Sequence, residues 1–217
     1  MPHLHRWNQP KGNNPFAPEF DISLWVDELP DVLIDELLGL VKKHEEEGLF
    51  DNDRWEHYNI FQWEGFAVKE LQEMILTSYE AFCNSLHIEK EERIWVRGWV
   101  YPQKPEIKVK RRMNIGRHQH AMHENAFLSG VLNMQDHFIG TDYDIPYVGW
   151  TGIGSKKGRL TLAPSSLPHA VKALRYEDTD RYTIAFDLIT QKGMDHFWFS
   201  KLDRDTSKDP LNLAIEL

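Results

Sequence analysis

Residues 115–131 read "IGRHQHAMHENAFLSGV" and carry three of the chain's eleven histidines within six positions. His118 and His120 are separated by one residue, so an extended strand places both imidazoles on the same side, close enough to share one metal ion. Imidazole is a good ligand for Fe, Zn, Cu and Ni. The apolar run that begins at Asn125, "NAFLSGVLNM", is typical of a strand. The stretch therefore predicts a metal site built on β-structure.

Such a site needs a further ligand from elsewhere in the chain, because a catalytic metal site combines a few protein ligands with open positions for substrate or oxygen. The best remote candidate is His169, in the segment "GRLTLAPSSLPHAV" at 158–171. A glycine turn begins a strand in this segment, a proline ends it, and the histidine opens the next element. The residues alone leave open whether His120, His123 or Glu124 completes the ligand set.

The first ninety residues carry two helical patterns and one strand. The segment "DISLWV" at 21–26 alternates as a strand does. From Pro30, apolar residues recur at three- and four-residue steps, and a second apolar face extends from about Phe66 to Leu86. Both segments are therefore predicted to be amphipathic helices that pack through one face.

The pattern changes after Glu92. Short β-branched and aromatic runs follow, separated by Gly, Pro and Asn turns, and they include "RIWVRGWVY", "GRLTLAP" and "RYTIAFDLI". Helices followed by a β-rich half predict an α+β domain in which the helices cover one face of a curved sheet. We expect a single domain over 1–217, with a helical N-terminal region at 1–92, a β core at 93–200 and a C-terminal tail at 201–217.

The segment "RYTIAFDLI" at 181–189 alternates most cleanly. Because side chains point to opposite faces with a period of two, the segment presents one apolar and one mixed face. The apolar face, which needs the helices as a partner, consists of Tyr182, Ile184, Phe186 and Leu188. The opposite face has the composition expected of the interior of a barrel mouth that holds a polar ligand, and consists of Arg181, Thr183, Ala185 and Asp187.

Composition excludes some classes of partner. The net charge of -9 argues against nucleic-acid binding, since only "KVKRR" at 108–112 is locally basic. The single cysteine, Cys83, cannot form an internal disulfide, so we expect a cytoplasmic protein. No apolar stretch approaches the length of a membrane span, so no membrane partner is expected. The aromatic stretch "DHFWFS" at 195–200 would suit a homodimer contact.

The order of these motifs resembles a known family. An H-x-H, then "FLSGV", then "GRLTLAPSSLPHAV", then "RYTIAFDL" is similar to the core of the 2-oxoglutarate and Fe(II)-dependent oxygenases, over roughly 95–189. The resemblance implies a double-stranded β-helix, a cupin-like jelly-roll barrel with N-terminal helices packed on the major sheet. It also implies a dioxygenase that uses Fe(II) and 2-oxoglutarate to hydroxylate an amino acid, a peptide or a small metabolite, with release of succinate and CO2.

The resemblance assigns roles to individual positions. His118 and His169 match the first and last iron ligands of the family, while His120 stands where most members carry Asp or Glu. Arg181 matches the basic residue that binds the distal carboxylate of 2-oxoglutarate, which suits a guanidinium because it donates two parallel hydrogen bonds. Two further contacts to the cosubstrate are implied, Thr183 beside that arginine and Asn133 on the strand after "LSGV". The expected site is then catalytic and metal-binding at His118, His120 and His169, and cofactor-binding at Arg181, Thr183 and Asn133.

A cupin without 2-oxoglutarate is the alternative. The segment "HQHAMHE" resembles the first cupin motif, in which Glu124 would join the three histidines, and "GRLTLAPSSLPH" resembles the second, with Ser166 in place of the usual glycine. Such a protein would be a metal enzyme or a binding protein of nearly the same fold. Arg181 and the two N-terminal helices favour the oxygenase.

Overall fold

The structure is a computed structural model, and it describes residues 2–9, 19–50, 58–104, 115–120, 126–172, 179–195 and 214–217. Two long helices and eleven strands lie within these ranges. The elements in chain order are β1 (His3–Gln9), β2 (Phe20–Glu28), α1 (Asp31–Glu46), α2 (Phe66–Leu86), β3 (Ile94–Gln103), β4 (Ile115–His118), β5 (Ala126–Asn133), β6 (His137–Ile145), β7 (Gly149–Ser155), β8 (Arg159–Pro164), β9 (His169–Val171), β10 (Arg181–Thr190) and β11 (Ile215–Glu216).

The described strands form two sheets, in which every strand pair is antiparallel. The major sheet has seven strands in the order β1-β2-β8-β5-β10-β3-β11. The minor sheet has four strands in the order β4-β9-β6-β7. With helices packed on the major sheet, the fold is a two-sheet β-sandwich of the α+β class, as predicted. The described strands form two facing sheets and not one closed barrel.

Both predicted helices are confirmed. In α1 the residues at three- and four-residue steps, including Leu33, Ile34 and Leu37, are buried against the major sheet. Pro30 lies just outside this helix in an extended conformation. The second helix, α2, has the predicted bounds and ends where His87 adopts a left-handed conformation. No described helix meets the length and hydropathy of a membrane span.

The central strand β10 separates the helical layer from the inter-sheet space. Its apolar residues are buried in the core that contains the helices, and these are Tyr182, Ile184, Phe186 and Leu188. The Phe186 ring packs over Gly130 of the neighbouring strand β5, where a Cβ atom would overlap its outer carbons. The glycine in "LSGV" is therefore explained by packing against the phenylalanine in "IAF", and the predicted orientation of the β10 faces is confirmed.

A second core lies between the two sheets. Leu24 and Val26 of β2 pack there against Tyr143 and Ile145 of β6, while Trp25 points to the helical side. This alternation follows from the period of two in the predicted strand at 21–26. Tyr143 of this core also lines a cavity between the two sheets.

The sheets extend beyond the predicted β core at 93–200. Strands β1 and β2 lie within the region 1–92, and β11 lies within the tail. Strand β2 pairs with β8, and β11 pairs with β3. Each pairing satisfies backbone donors and acceptors that an exposed strand edge would leave unpaired. The basic run at 108–112 lies outside the described residues, as does most of the aromatic stretch at 195–200.

Candidate metal centre

The minor sheet positions two of the three histidines. His118 ends β4 and His169 begins β9, and the two are direct partners in the antiparallel pairing. Tyr143 of β6 is the partner of His169 on its other side. Directly paired residues point to the same face of a sheet, so the three side chains form a row, with ring centroids 4.3 Å and 5.8 Å apart.

The third histidine is held by the turn between β8 and β9. The backbone N–H of His120 donates to the carbonyl of Ser165 over 2.9 Å. Ser165 in turn donates from its own N–H to Phe127 and from its hydroxyl to Ala126, both on β5. The "APSSLPH" turn thus fastens His120 to the same part of the molecule that presents His169.

The three histidines converge, as the sequence predicts. One nitrogen of each of His118, His120 and His169 lies within 4.8 Å of the others, and His120 and His169 are buried. For three atoms so placed, some point lies within about 2.8 Å of all of them, so small ring rotations reach the roughly 2.1 Å of a metal–imidazole bond. These are the residues that could hold a metal ion.

The hydrogen bonds of the imidazoles test whether the cluster suits a metal. Each Nδ1 atom lies beside an oxygen: Gly116 O at 2.9 Å from His118, Asp187 Oδ1 at 2.7 Å from His120, and Leu167 O at 3.2 Å from His169. Carbonyl and carboxylate oxygens only accept, so each Nδ1 carries a proton and each Nε2 keeps its lone pair. This arrangement is the one found around metal-bound histidines, so the residues fit a divalent transition metal.

Burial favours the same protonation state. Desolvation is the main cause that lowers the pKa of His118, and desolvation together with the charges of the other two imidazoles lowers the pKa of His169 to about 3. Both rings are therefore neutral near pH 7, and a neutral imidazole is the form that binds a metal.

The histidines open into a cavity between the sheets. The cavity is open to solvent on one side, and the space free of protein atoms in and around it amounts to about 540 Å³ with open solvent included. Trp99 and Tyr101 of β3, Tyr143 of β6, and Arg181, Thr183 and Ala185 of β10 contribute to its lining. The walls combine aromatic surface with a few polar groups, which is typical of sites for small ligands.

Arg181 is the cation of this cavity. Its side chain is 1% exposed, and its two Nη atoms donate to Gln103 Oε1 over 2.8 Å and to Asn133 Oδ1 over 3.1 Å. Its Nε is buried and has no hydrogen-bond partner among the described residues, and no described carboxylate pairs with the guanidinium. Burial lowers the pKa of Arg181 to about 10. A guanidinium has five N–H donors, so donors remain for an anionic ligand.

Known structures share this fold, although neither a protein-family model nor a curated protein matches the sequence. A prolyl-4-hydroxylase of Pseudomonas putida has a TM-score of 0.55 at 15% identity over 77% of this chain and 88% of its own. AviO1 of Streptomyces viridochromogenes has a TM-score of 0.57 at 10% identity over 77% and 90% of the two chains. ThoJ, a non-heme monooxygenase in complex with nickel, has a TM-score of 0.53 at 11% identity over 76% and 71%.

The chain therefore shares its fold with this prolyl-4-hydroxylase and with AviO1. This finding agrees, at the level of fold, with the predicted resemblance to the 2-oxoglutarate and Fe(II)-dependent oxygenases. His120, for which the resemblance implies a departure from the acidic residue of most members, belongs to the described histidine cluster. Of the alternatives to His120, both His123 and Glu124 lie outside the described residues.

Of the residues near the histidine cluster, some line the cavity and others do not. Thr183 lines the cavity beside Arg181, as predicted. Asn133 does not belong to the lining. Its carboxamide oxygen accepts from Arg181 and from Ser155, so it holds the arginine from behind. Trp99 packs against the main hydrophobic core, and it also lines the cavity and stacks on His120 with ring centroids 5.8 Å apart. Trp150 is 53% exposed and takes no part in the lining.

Two residues that hydrogen-bond to site residues are not predicted as part of the site from the sequence. Asp187 binds the ring of His120, and Gln103 binds Arg181, its direct partner in the β3–β10 pairing. The alternation of β10 placed Asp187 on the cavity face and was the available signal for it. No signal in the sequence paired Gln103 with Arg181, since the register between β3 and β10 is set by the fold.

Proposed function

We propose that the protein is an Fe(II)- and 2-oxoglutarate-dependent dioxygenase that hydroxylates an amino acid, a peptide or a small metabolite. The overall reaction converts 2-oxoglutarate, O2 and a substrate C–H group into succinate, CO2 and the C–OH product. In this proposal the major and minor sheets are those of a double-stranded β-helix. His118, His120 and His169 hold the iron, and Arg181 and Thr183 bind the cosubstrate.

The observation that carries the proposal is a buried, unpaired cation in the same cavity as the three histidines. Burying a guanidinium without a carboxylate is unfavourable, and a bound anion offsets that cost. Arg181 is 1% exposed, and its described hydrogen bonds go only to the neutral amides of Gln103 and Asn133. A dicarboxylate would bind the metal through one carboxylate and Arg181 through the other.

The residues of this chain would bind and orient, while the chemistry would come from the bound groups. Iron with 2-oxoglutarate supplies the oxidative decarboxylation that activates dioxygen for attack on a C–H bond. The amides of Gln103 and Asn133 fix the plane of the Arg181 guanidinium, so its free donors have a defined direction. The aromatic side chains of Trp99 and Tyr143 line the cavity and would limit the access of water to the reacting centre.

Anaerobic spectroscopy tests this proposal. Fe(II) and 2-oxoglutarate together should give a visible charge-transfer band in the green region that neither gives alone. The Arg181→Ala variant should lose the response to 2-oxoglutarate and still bind iron. Arg159→Ala is the matched control, because Arg159 also lies on the major sheet but pairs with Glu28 outside the cavity. Succinate release in air, measured against amino acids and peptides, then identifies the substrate class.

A cupin-type metal protein is the second candidate, and one observation favours it. The described ligand set consists only of imidazoles, and both Nη atoms of Arg181 already have protein partners. Under this alternative Arg181 is a structural cation and the protein does not use 2-oxoglutarate. Iron binding without any spectral response to 2-oxoglutarate, in the wild type as in Arg181→Ala, would establish the cupin and overturn the oxygenase.

A further inference from the structure

Asp187 of β10 contacts the ring of His120 but is not among the residues that line the cavity. Its side chain is completely buried, and its Oδ1 lies 2.7 Å from Nδ1 of His120. Its second oxygen, Oδ2, is buried and has no hydrogen-bond partner among the described residues. An ionised carboxylate with an unsatisfied oxygen is unfavourable in a protein interior unless a positive charge lies nearby.

No other described histidine of the cluster has such a partner. His118 and His169 donate to the backbone carbonyls of Gly116 and Leu167, which carry no net charge. Asp187 is also the one carboxylate of the described chain whose charge acts on His118. Among the described residues, Asp187 is therefore the carboxylate that contacts the histidine cluster, and the ring of His120 lies between it and the predicted ion.

We propose that Asp187 is a positioning residue that supplies, through His120, the negative charge that most related oxygenases place directly on the metal. This inference rests on the metal-binding part of the proposed function. The hydrogen bond holds His120 in the tautomer and orientation that point Nε2 to the cluster, and it raises the basicity of the ring as a ligand. A divalent ion in turn offsets the cost of burying Asp187.

The position of Asp187 on β10 fits this assignment. It lies on the same face of the strand as Arg181, six residues away, or about 20 Å along an extended backbone. One strand therefore carries a negative group in contact with His120 and a positive group that lines the cavity. Such an arrangement orders a cation and an anion along one direction.

The test measures metal affinity, not turnover. Ni(II), which is stable in air, is titrated calorimetrically into metal-free wild type and into Asp187→Asn, a variant of the same shape without the charge. Loss of an outer carboxylate should weaken Ni(II) binding about 10- to 100-fold. The control is Asp142→Asn, which removes a carboxylate from β6 that pairs with Lys172, and it should bind as the wild type does. Circular dichroism of the metal-free proteins checks that each is folded.

Ni(II) affinity is also measured in a second variant, His120→Asp, so the role of Asp187 can be tested even if Asp187→Asn alone folds poorly. In His120→Asp a carboxylate stands at the ligand position itself, so the charge of Asp187 is no longer needed. Adding Asp187→Asn to His120→Asp should leave Ni(II) affinity unchanged or tighten it, in contrast to its effect in the wild type. Equal weakening in both backgrounds, or none in the wild type, would overturn the role of Asp187. Absence of Ni(II) binding by the wild type would overturn both this role and the proposed function.

Discussion

The substitution Gly130→Ala probes the packing that sets the two faces of β10. Gly130 lies directly opposite Phe186 in the β5–β10 pairing, and the ring covers it. A methyl group at this position would overlap the outer ring carbons Cε1, Cε2 and Cζ, so the ring or the strand must move. If Phe186 moves, the alternation that places Arg181 and Asp187 on the opposite face of β10 is disturbed as well.

The size of the effect follows from the chemistry of overpacking. Forcing one methyl group into a well-packed core lowers the free energy of unfolding by about 1–3 kcal/mol. For a chain of this length that corresponds to a decrease in Tm of roughly 2–12 °C. Gly39→Ala is the matched control, because Gly39 is exposed on α1 with no atom close to a new Cβ. There the same change should raise stability by about 0.5–1 kcal/mol, since alanine favours a helix interior.

Thermal unfolding followed by circular dichroism measures both changes. A double-mutant cycle identifies the contact, because leucine lacks the ring atoms that the methyl group would meet. Gly130→Ala should therefore cost much less in a Phe186→Leu background than in the wild type. Equal stability of Gly130→Ala and wild type, or an equal cost in both backgrounds, would refute the placement of the ring over this glycine.

Three further outcomes are expected. Gln103→Leu should weaken 2-oxoglutarate binding about 10-fold in calorimetry, because Arg181 loses the amide that orients it, while Ni(II) affinity stays the same. His169→Ala should abolish the rise in Tm that Ni(II) gives the wild type, since it removes one of three ligands. Burial raises the pKa of Tyr79 to about 12, so its contribution to stability is complete below pH 10 and is lost as the pH rises through 12. Denaturant unfolding at pH 8 to 12 should show this loss, and Tyr79→Phe should reduce it.

Local patterns predicted the parts of the fold that depend on periodicity. The bounds of α2 and the two faces of β10 follow from the 3.6- and two-residue periods of helices and strands. His118 and His120 converge as predicted, but His120 lies beyond the end of β4 and is held by the turn before β9 and not by the period of a strand. The pattern of its segment predicts the place of His169, because glycine and proline mark the ends of the preceding strand and the histidine begins the next one.

Features that depend on register could not be predicted. The bond from His120 to Asp187 joins residues 67 positions apart, and the bond from Arg181 to Gln103 joins residues 78 apart. Pairing of this kind is decided by how strands from distant parts of the chain align, which a single sequence does not encode locally. The bond from Arg181 to Asn133 also joins distant strands, and the role of Asn133 in binding the cosubstrate stays a prediction.

X-ray absorption at the iron edge, on the anaerobic complex with Fe(II), measures the ligands of the proposed metal site. The proposed site predicts three imidazole nitrogens on a single ion, from His118, His120 and His169. It also predicts that each single substitution to alanine removes one imidazole from the spectrum. An ion bound by fewer than three imidazoles in the wild type, or a spectrum unchanged when His120 is replaced, would contradict it.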